Sequence, residues 1–225
     1  MDNCPSGRHA MIGASILGKL GTAYLQMEIF SSTLDRISRG AITKIPFPNK
    51  FPALLRLLEE SDAEELFALI DGNRAHLREW LPWLDGNTTI DDSRAFILHT
   101  KEQHLSNRGF QAGVWYENKL AGIVGYHPID WQNRIAMIGY WLGKEFQGKG
   151  IMTESCRLLI NYAFDDYTLN RVEIRAATGN SKSRAIPERL GFTKEGIIRD
   201  GEWLYDHFVD LFLYSMLATR WKELR

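Results

Sequence analysis

The segment Gly143-Lys144-Glu145-Phe146-Gln147-Gly148-Lys149-Gly150-Ile151-Met152 constrains this chain more than any other. It follows an apolar strand pattern, Ile135 to Leu142, and leads into Met152, Cys156, Leu159, Ile160 and Ala163 at helical spacing. A strand that passes through a glycine-rich turn into an amphipathic helix commits the chain to an α/β layout. Glycines let the backbone turn its N–H groups toward one point, and a helix N-terminus adds partial positive charge. That geometry suits a phosphate or pyrophosphate, although the same residues also suit an ordinary strand-to-helix turn. Gly143, Gly148 and Lys149 match Gly-x-x-x-x-Gly-Lys, but Gly150 stands where Ser or Thr should hold magnesium. The strand from Val172 to Ala177 also lacks an apolar run ending in Asp. A nucleotide triphosphatase is therefore set aside.

Charge narrows the partners. The 27 Lys and Arg residues meet 28 Asp and Glu, a net charge of -1, which gives no electrostatic case for nucleic acid or an anionic membrane. The 225 residues, 44% hydrophobic and 24% charged, fit one soluble domain with an extra segment. Cys4 and Cys156 cannot build a disulfide framework or a thiolate metal site, and a reducing cytoplasm is expected. His9, His76, His99, His104, His127 and His207 show no ligand spacing, so no metal is expected. The apolar run Ala10 to Gly18 is far short of the ~20 residues that span a bilayer, and neither a signal nor an anchor is expected. Residues 1–50 read as an N-terminal extension, with Met27 as an alternative start, closed by a linker around Pro46, Pro48 and Pro52. Residues 51–225 form the domain.

Within that domain the patterns alternate. Leu54 to Leu58 predicts a strand, and Ser61 or Asp62 caps a helix through Asp71. A helical stretch from Arg74 carries Trp80 and Trp83 on either side of Pro82, and a further helix runs from about Asp91 to Ser106. Phe110 to Tyr116 and Lys119 to Ile129 read as a hairpin, followed by the Ile135 to Leu142 strand. After the glycine-rich loop and its helix come a strand at Arg171 to Thr178, a helix from Asn180 to Gly191, and strands near Phe192 to Arg199 and Phe208 to Tyr214. This is a mixed α/β sheet with a parallel pair at its centre.

Several segments together carry a resemblance. Gln147-Gly-Lys-Gly-Ile-Met152, preceded by Ile-Gly-Tyr-Trp-Leu at 138–142, resembles the acyl-CoA pyrophosphate loop of the GNAT N-acetyltransferases. Asn180-Ser-Lys-Ser183, followed by Pro187-Glu-Arg-Leu-Gly-Phe192, is similar to the second CoA-contacting helix of that superfamily. With Leu-Asn-Arg-Val-Glu-Ile at 169–174 and Leu-Arg-Glu-Trp-Leu-Pro-Trp at 77–83, the pattern resembles the RimJ/RimL branch, which acetylates ribosomal-protein N-termini. The resemblance spans roughly residues 54–220. It implies a fold whose central parallel strands splay apart around the pantetheine arm, and acetyl-CoA as co-substrate. It also implies that Trp141, Leu142, Gln147, Gly148, Lys149, Gly150, Ile151, Met152, Asn180 and Ser183 contact the co-substrate. Asn180 would bond the pantetheine amides, and it also suits an ordinary helix N-cap.

Chemistry at the acceptor is less typical of the superfamily. Many members protonate the leaving sulfur with a tyrosine, and Pro187 occupies that position here. The resemblance offers the Ser183 hydroxyl instead, as a hydrogen-bond donor to the thiolate, and a plain helix cap is the competing role. Relatives place a basic Glu where this chain has Met137, which accepts no proton. Of the remaining candidates, His127, Asp130, Glu202 and His207, His127 is favoured because imidazole titrates near neutrality. Freeing an α-amine at pH 7 costs about 1.4 kcal/mol against about 4.6 kcal/mol for a lysine. A site without a strong base therefore points to a protein N-terminus, Ala or Ser, with small amines as the alternative. Trp80, Trp83, Asp206 and His207 are candidates to line the acceptor side, the tryptophans also suiting core packing. A CoA-binding module without efficient turnover is the reading from another class, and the oligomeric state is left open.

Overall fold

The computed structural model describes residues 44–48 and 51–225, and Cys4, His9, Met27 and most of the expected extension lie outside them. Eight strands form one sheet in the order β1-β2-β3-β4-β5-β6-β8-β7. They are β1 (Lys44–Pro46), β2 (Ala53–Leu57), β3 (Gln111–Tyr116), β4 (Lys119–Tyr126), β5 (Ile135–Leu142), β6 (Arg171–Ala177), β7 (Thr193–Leu204) and β8 (His207–Leu217). The helices are α1 (Ala63–Asp71), α2 (Arg74–Arg78), α3 (Ile90–Leu105), α4 (Ile151–Asp165), α5 (Ser181–Arg189) and α6 (Ala218–Leu224).

Part of the expected linker belongs to the sheet. Lys44 and Pro46 pair with Arg56 and Leu54, and the missing N–H of a proline is tolerated on an edge strand. Phe47 is buried and stacks on Phe51 with ring centroids 5.4 Å apart. Asp62 precedes α1 as expected, yet its carboxylate accepts from the Glu59 N–H and from both Arg56 guanidinium nitrogens rather than from the helix. At the start of α3 the cap is reciprocal: the Asp92 N–H donates to Thr89 Oγ1, and the Thr89 N–H donates to Asp92 Oδ2.

One helix is shorter than its pattern suggests. α2 ends at Arg78, so Trp80 and Trp83 lie in the turns that follow instead of on a helical face. Pro82 disfavours helix at the residue before it, which stops the helix from running on to Trp83. The last two strands are longer than expected, because bulges between Lys194 and Gly196 and between Ile198 and Glu202 break the period-two pattern without ending the pairing.

The centre of the sheet positions the site. β5 and β6 pair in parallel only from Ile135–Arg171 to Ile138–Ile174. Beyond that point β5 stays bonded to β4 as far as Leu142, whereas β6 stays bonded to β8 as far as Ala177. The two strands therefore part, as the resemblance implies. Beneath the paired half, Cys156, Leu159, Ile160 and Ala163 of α4 share one buried core with Ala136, Ile138, Val172 and Ile174. Burying a Leu or Ile side chain contributes about 1.5–3 kcal/mol, so this stripe anchors the helix that carries the glycine-rich loop.

Candidate acetyl-CoA cleft

Where β5 and β6 part, a cleft of about 1000 Å³ opens. Tyr140, Trp141 and Leu142 line it from β5, and Gln147, Gly148 and Gly150 to Met152 from the loop and the first turn of α4. Gly179 to Ser183 face them from the β6–α5 side, and His76, Trp80 and Leu81 close a third side. Among the sequence candidates, Trp80, Trp141, Leu142, Gln147, Gly148, Gly150, Ile151, Met152, Asn180 and Ser183 thus come together.

The loop owes its shape to two backbone conformations. Gly148 and Gly150 both have φ of +77°, the region that favours glycine, and an added Cβ at either meets nothing within 4 Å. The dihedral angle rather than lack of space calls for glycine. Gly150 is the N-cap of α4, and the first intrahelical bond there runs from the Glu154 N–H to the Gly150 carbonyl. The amides of the first turn therefore have no helical acceptor and face the cleft with the positive end of the helix dipole. This donor set fits a pyrophosphate. The Lys149 side chain turns away: its ammonium lies 4.9 Å from the Tyr116 ring and 5.7 Å from the Phe146 ring, and the residue is absent from the cleft lining. Attraction to two aromatic faces accounts for that placement.

Gln147 joins three walls of the cleft. Its amide oxygen accepts from Lys182 Nζ at 3.0 Å, which leaves its NH₂ to donate to His76 Nε2 at 2.7 Å. His76 is thereby the neutral tautomer protonated on Nδ1, in keeping with a pKa lowered by burial and by Lys182 and Lys144. Asn180 Oδ1 accepts the Ser183 N–H at 3.0 Å, the N-cap role weighed for it above. Trp80 crosses the opening, so that a Cβ on Gly179 would sit 3.3 Å from its indole ring.

Other candidates stand apart from this lining. Trp83 is 39% exposed and packs on Trp141, ring centroids 6.1 Å apart, outside the cleft lining. Asp206 and His207 pair with each other at 2.7 Å on the exposed tip of the β7–β8 hairpin. Neither is among the residues that line the cleft, although the hydroxyl of the neighbouring Tyr205 donates at 2.5 Å to the carbonyl of Leu81, which is. The His127 imidazole lies over Gly139, its Nε2 only 2.7 Å from where a Cβ on that glycine would be. This puts it at the parting of β5 and β6 but outside the lining of the CoA-sized cleft. Burial, and then Arg175, lowers its pKa, so it is neutral at pH 7.

The surroundings of Met137 explain the scarcity of bases. Its register partner on β6 is Glu173, whose carboxylate accepts from Arg171 at 2.8 Å and from Arg175 at 3.3 Å. Arg171 also grips Glu195 through two bonds of 2.7 and 2.6 Å. Asp130 is bonded to Asn133, and Glu202, whose pKa burial raises, lies on β7 outside the cleft lining. Cys156 is fully buried, and burial pushes its thiol up, so it is not a nucleophile. Among the described residues no group of three or more His, Cys, Asp or Glu is placed to hold a metal, and no helix is long and apolar enough to cross a membrane.

His76 and Tyr140 are polar residues of the lining that sequence reasoning does not single out. His76 has no motif around it, since it meets Gln147 only through the fold. Tyr140 was in view inside Ile-Gly-Tyr-Trp-Leu, and alternation along β5 sets it on the opposite face from Met137.

A splayed parallel pair with a helix N-terminus at its mouth is the arrangement that the resemblance to CoA-dependent acyltransferases implies. Residues 53–193 match the acetyltransferase (GNAT) domain, and the chain belongs to the GNAT acetyltransferase family. It is 46% identical over 169 residues to YdaF of Bacillus subtilis (strain 168), covering 75% of this chain and 92% of that one. Among solved structures it is similar to the microcin C7 self immunity acetyltransferase MccE in complex with acetyl-CoA and AMP, at 34% identity and a TM-score of 0.72, covering 74% of this chain and 92% of that one. RimL, the ribosomal L7/L12 alpha-N-protein acetyltransferase in complex with coenzyme A, aligns with a TM-score of 0.75 at 28% identity, covering 79% and 99%. The chain is thus a GNAT-type, acetyl-CoA-dependent N-acetyltransferase similar to the RimJ/RimL enzymes.

Proposed function

We propose that this enzyme transfers acetyl directly from acetyl-CoA to the α-amine of a protein N-terminus, Ala or Ser, in the cytoplasm. The amides of the loop and of the first turn of α4, from Gln147 to Met152, take the pyrophosphate, and Asn180 takes the pantetheine amides. Trp80, Trp141 and Leu142 line the path of the acetyl group toward the acceptor. The amine nitrogen bonds to the thioester carbon, the carbon–sulfur bond breaks, and its electron pair goes to sulfur. Ser183 donates a hydrogen bond to that thiolate, while the proton of the amine passes to His127 directly or through one water.

One observation carries the choice of acceptor. The group at the β5–β6 parting is His127, an imidazole held neutral, and the neighbouring Glu173 carboxylate is already occupied by two guanidinium groups. A base this weak suits an amine of pKa ~8 and not a lysine at ~10.4. The similarity to RimL, the ribosomal L7/L12 alpha-N-protein acetyltransferase, supports a peptide acceptor. Small amines, exemplified by the similar spermidine acetyltransferase of Escherichia coli (strain K12), are the competing substrates.

The test is the rate of CoA release against pH with a peptide bearing an N-terminal Ser. The rate should rise through an acid limb below the ordinary imidazole value of 6.5, as His127 loses its proton. His127→Gln should remove that limb and slow the reaction roughly 100-fold at pH 7. An unchanged limb in the variant would contradict the assignment. Tight acetyl-CoA binding with no turnover on any amine would make the chain a binding module.

A further inference from the structure

Ser183 sits in the first turn of α5, where its carbonyl would ordinarily accept the N–H of the residue four positions on. That residue is Pro187, inside the helix and without an N–H. The Tyr140 hydroxyl donates to the Ser183 carbonyl instead, at 2.9 Å. The Ser183 hydroxyl in turn donates to the Tyr140 oxygen at 3.3 Å, and the Ser183 N–H donates to Asn180 at 3.0 Å. All three polar groups of Ser183 are therefore held, two of them by Tyr140. Tyr140 projects from β5 just beyond Ile138, where β5 has left β6, so its hydroxyl crosses the open cleft to reach α5. Burial raises its pKa, which keeps it a neutral donor at any working pH.

We propose that Tyr140 is a positioning residue for acetyl transfer: its hydroxyl fills the place of the N–H that Pro187 lacks and holds the Ser183 side chain in the rotamer from which its hydrogen can turn to the departing sulfur. The inference rests on the reading of Ser183 as hydrogen-bond donor to the thiolate. Before reaction the Ser183 hydrogen points at the Tyr140 oxygen. When the carbon–sulfur bond breaks and its electron pair moves to sulfur, that hydrogen turns to the thiolate as a hydrogen bond, and no proton leaves Ser183. The proline that stands in place of a catalytic tyrosine thus also creates the free carbonyl that engages a tyrosine from the opposite wall.

Steady-state kinetics and melting temperatures of Tyr140→Phe, Ser183→Ala, Tyr140→Phe/Ser183→Ala and Tyr140→Phe/Pro187→Ala test this, with acetyl-CoA and an N-terminal Ser peptide. Tyr140→Phe should lower kcat about tenfold and leave KM for acetyl-CoA within about twofold. Adding Pro187→Ala returns a backbone N–H to the Ser183 carbonyl. It should restore the melting temperature while kcat stays low, because the oxygen that held the Ser183 hydroxyl is still absent. The Tyr140→Phe/Ser183→Ala pair should be no slower than Ser183→Ala alone. Full recovery of kcat on adding Pro187→Ala would overturn the proposal, leaving Tyr140 a structural partner of a carbonyl. An unaffected Tyr140→Phe beside a slow Ser183→Ala would overturn it too, with the role of Ser183 intact. A fully active Ser183→Ala would overturn the reading of Ser183 itself and this proposal with it.

Discussion

At Gly150 the chain adopts φ of +77° at the point where a strand-derived loop becomes a helix. Any side chain there strains the backbone, at about 1–3 kcal/mol, although the space around it is open. Gly150→Ala should therefore disturb the amides of the next turn more than the core below. The expected outcome is a KM for acetyl-CoA raised roughly tenfold, with a melting temperature lowered by only a few degrees. Isothermal titration with CoA and a thermal melt separate the two effects, and an unchanged affinity would count against the loop as the pyrophosphate site. Lys149, between the two glycines, shows the limit of a motif at this scale. Its ammonium lies against Phe146, three residues before it, and against Tyr116, which is far from it in sequence and which no motif around the loop names.

At the scale of elements, the β7–β8 hairpin and the turn after α2 meet beside the cleft. The Tyr205 hydroxyl donates to the Leu81 carbonyl, the Arg78 guanidinium lies 3.8 Å from the Tyr205 ring centroid, and Arg78 pairs with Asp85. Tyr205→Phe removes one hydrogen bond, a loss of about 1 kcal/mol, from the contact that sets the height of Trp80 and Leu81 over the cleft. KM for the peptide acceptor should rise several-fold while KM for acetyl-CoA holds; a change confined to acetyl-CoA would contradict this. The stripe of α4, the loop and the strand before it were readable from periodicity, because burial of one helical face leaves that trace in the residues. The length of β7 and β8 was not, since two bulges hide the alternation. Nor was the end of α2, where local helical spacing of Trp80 and Trp83 yields to Pro82. The CoA side of the site depends on a contiguous loop and is visible in sequence. The side proposed for the acceptor draws on separate elements, Trp80 after α2 and His127 after β4 among them, and no single stretch records it.

Across the whole molecule, charge ties the far strands together. Glu195 of β7 accepts from Arg171 of β6 and from the Ser215 hydroxyl of β8, which holds its carboxyl down at about 2, against an ordinary 4.5. A carboxyl depressed on folding adds stability that is present above pH 4.5 and is lost as the pH falls toward 2. Exposure of the Glu195 side chain is 36%, so solvent screens part of the effect. Glu195→Gln should flatten the decline of melting temperature between those two pH values, and parallel curves for variant and parent would refute the linkage. The same sheet that this network braces keeps β6 with β8 and β5 with β4, and so keeps the central pair apart at the cleft. The proposed function uses that opening: acetyl-CoA would enter from one side and an amine of low pKa from the other, with His127 as the weak base between them. Intact-mass analysis after incubation with acetyl-CoA and two peptides tests this most directly, one peptide with a free N-terminal Ser and no lysine, the other with a blocked N-terminus and an internal lysine. A gain of one acetyl group on the first peptide alone is the predicted result. Acetylation of the lysine peptide, or of neither, would contradict it.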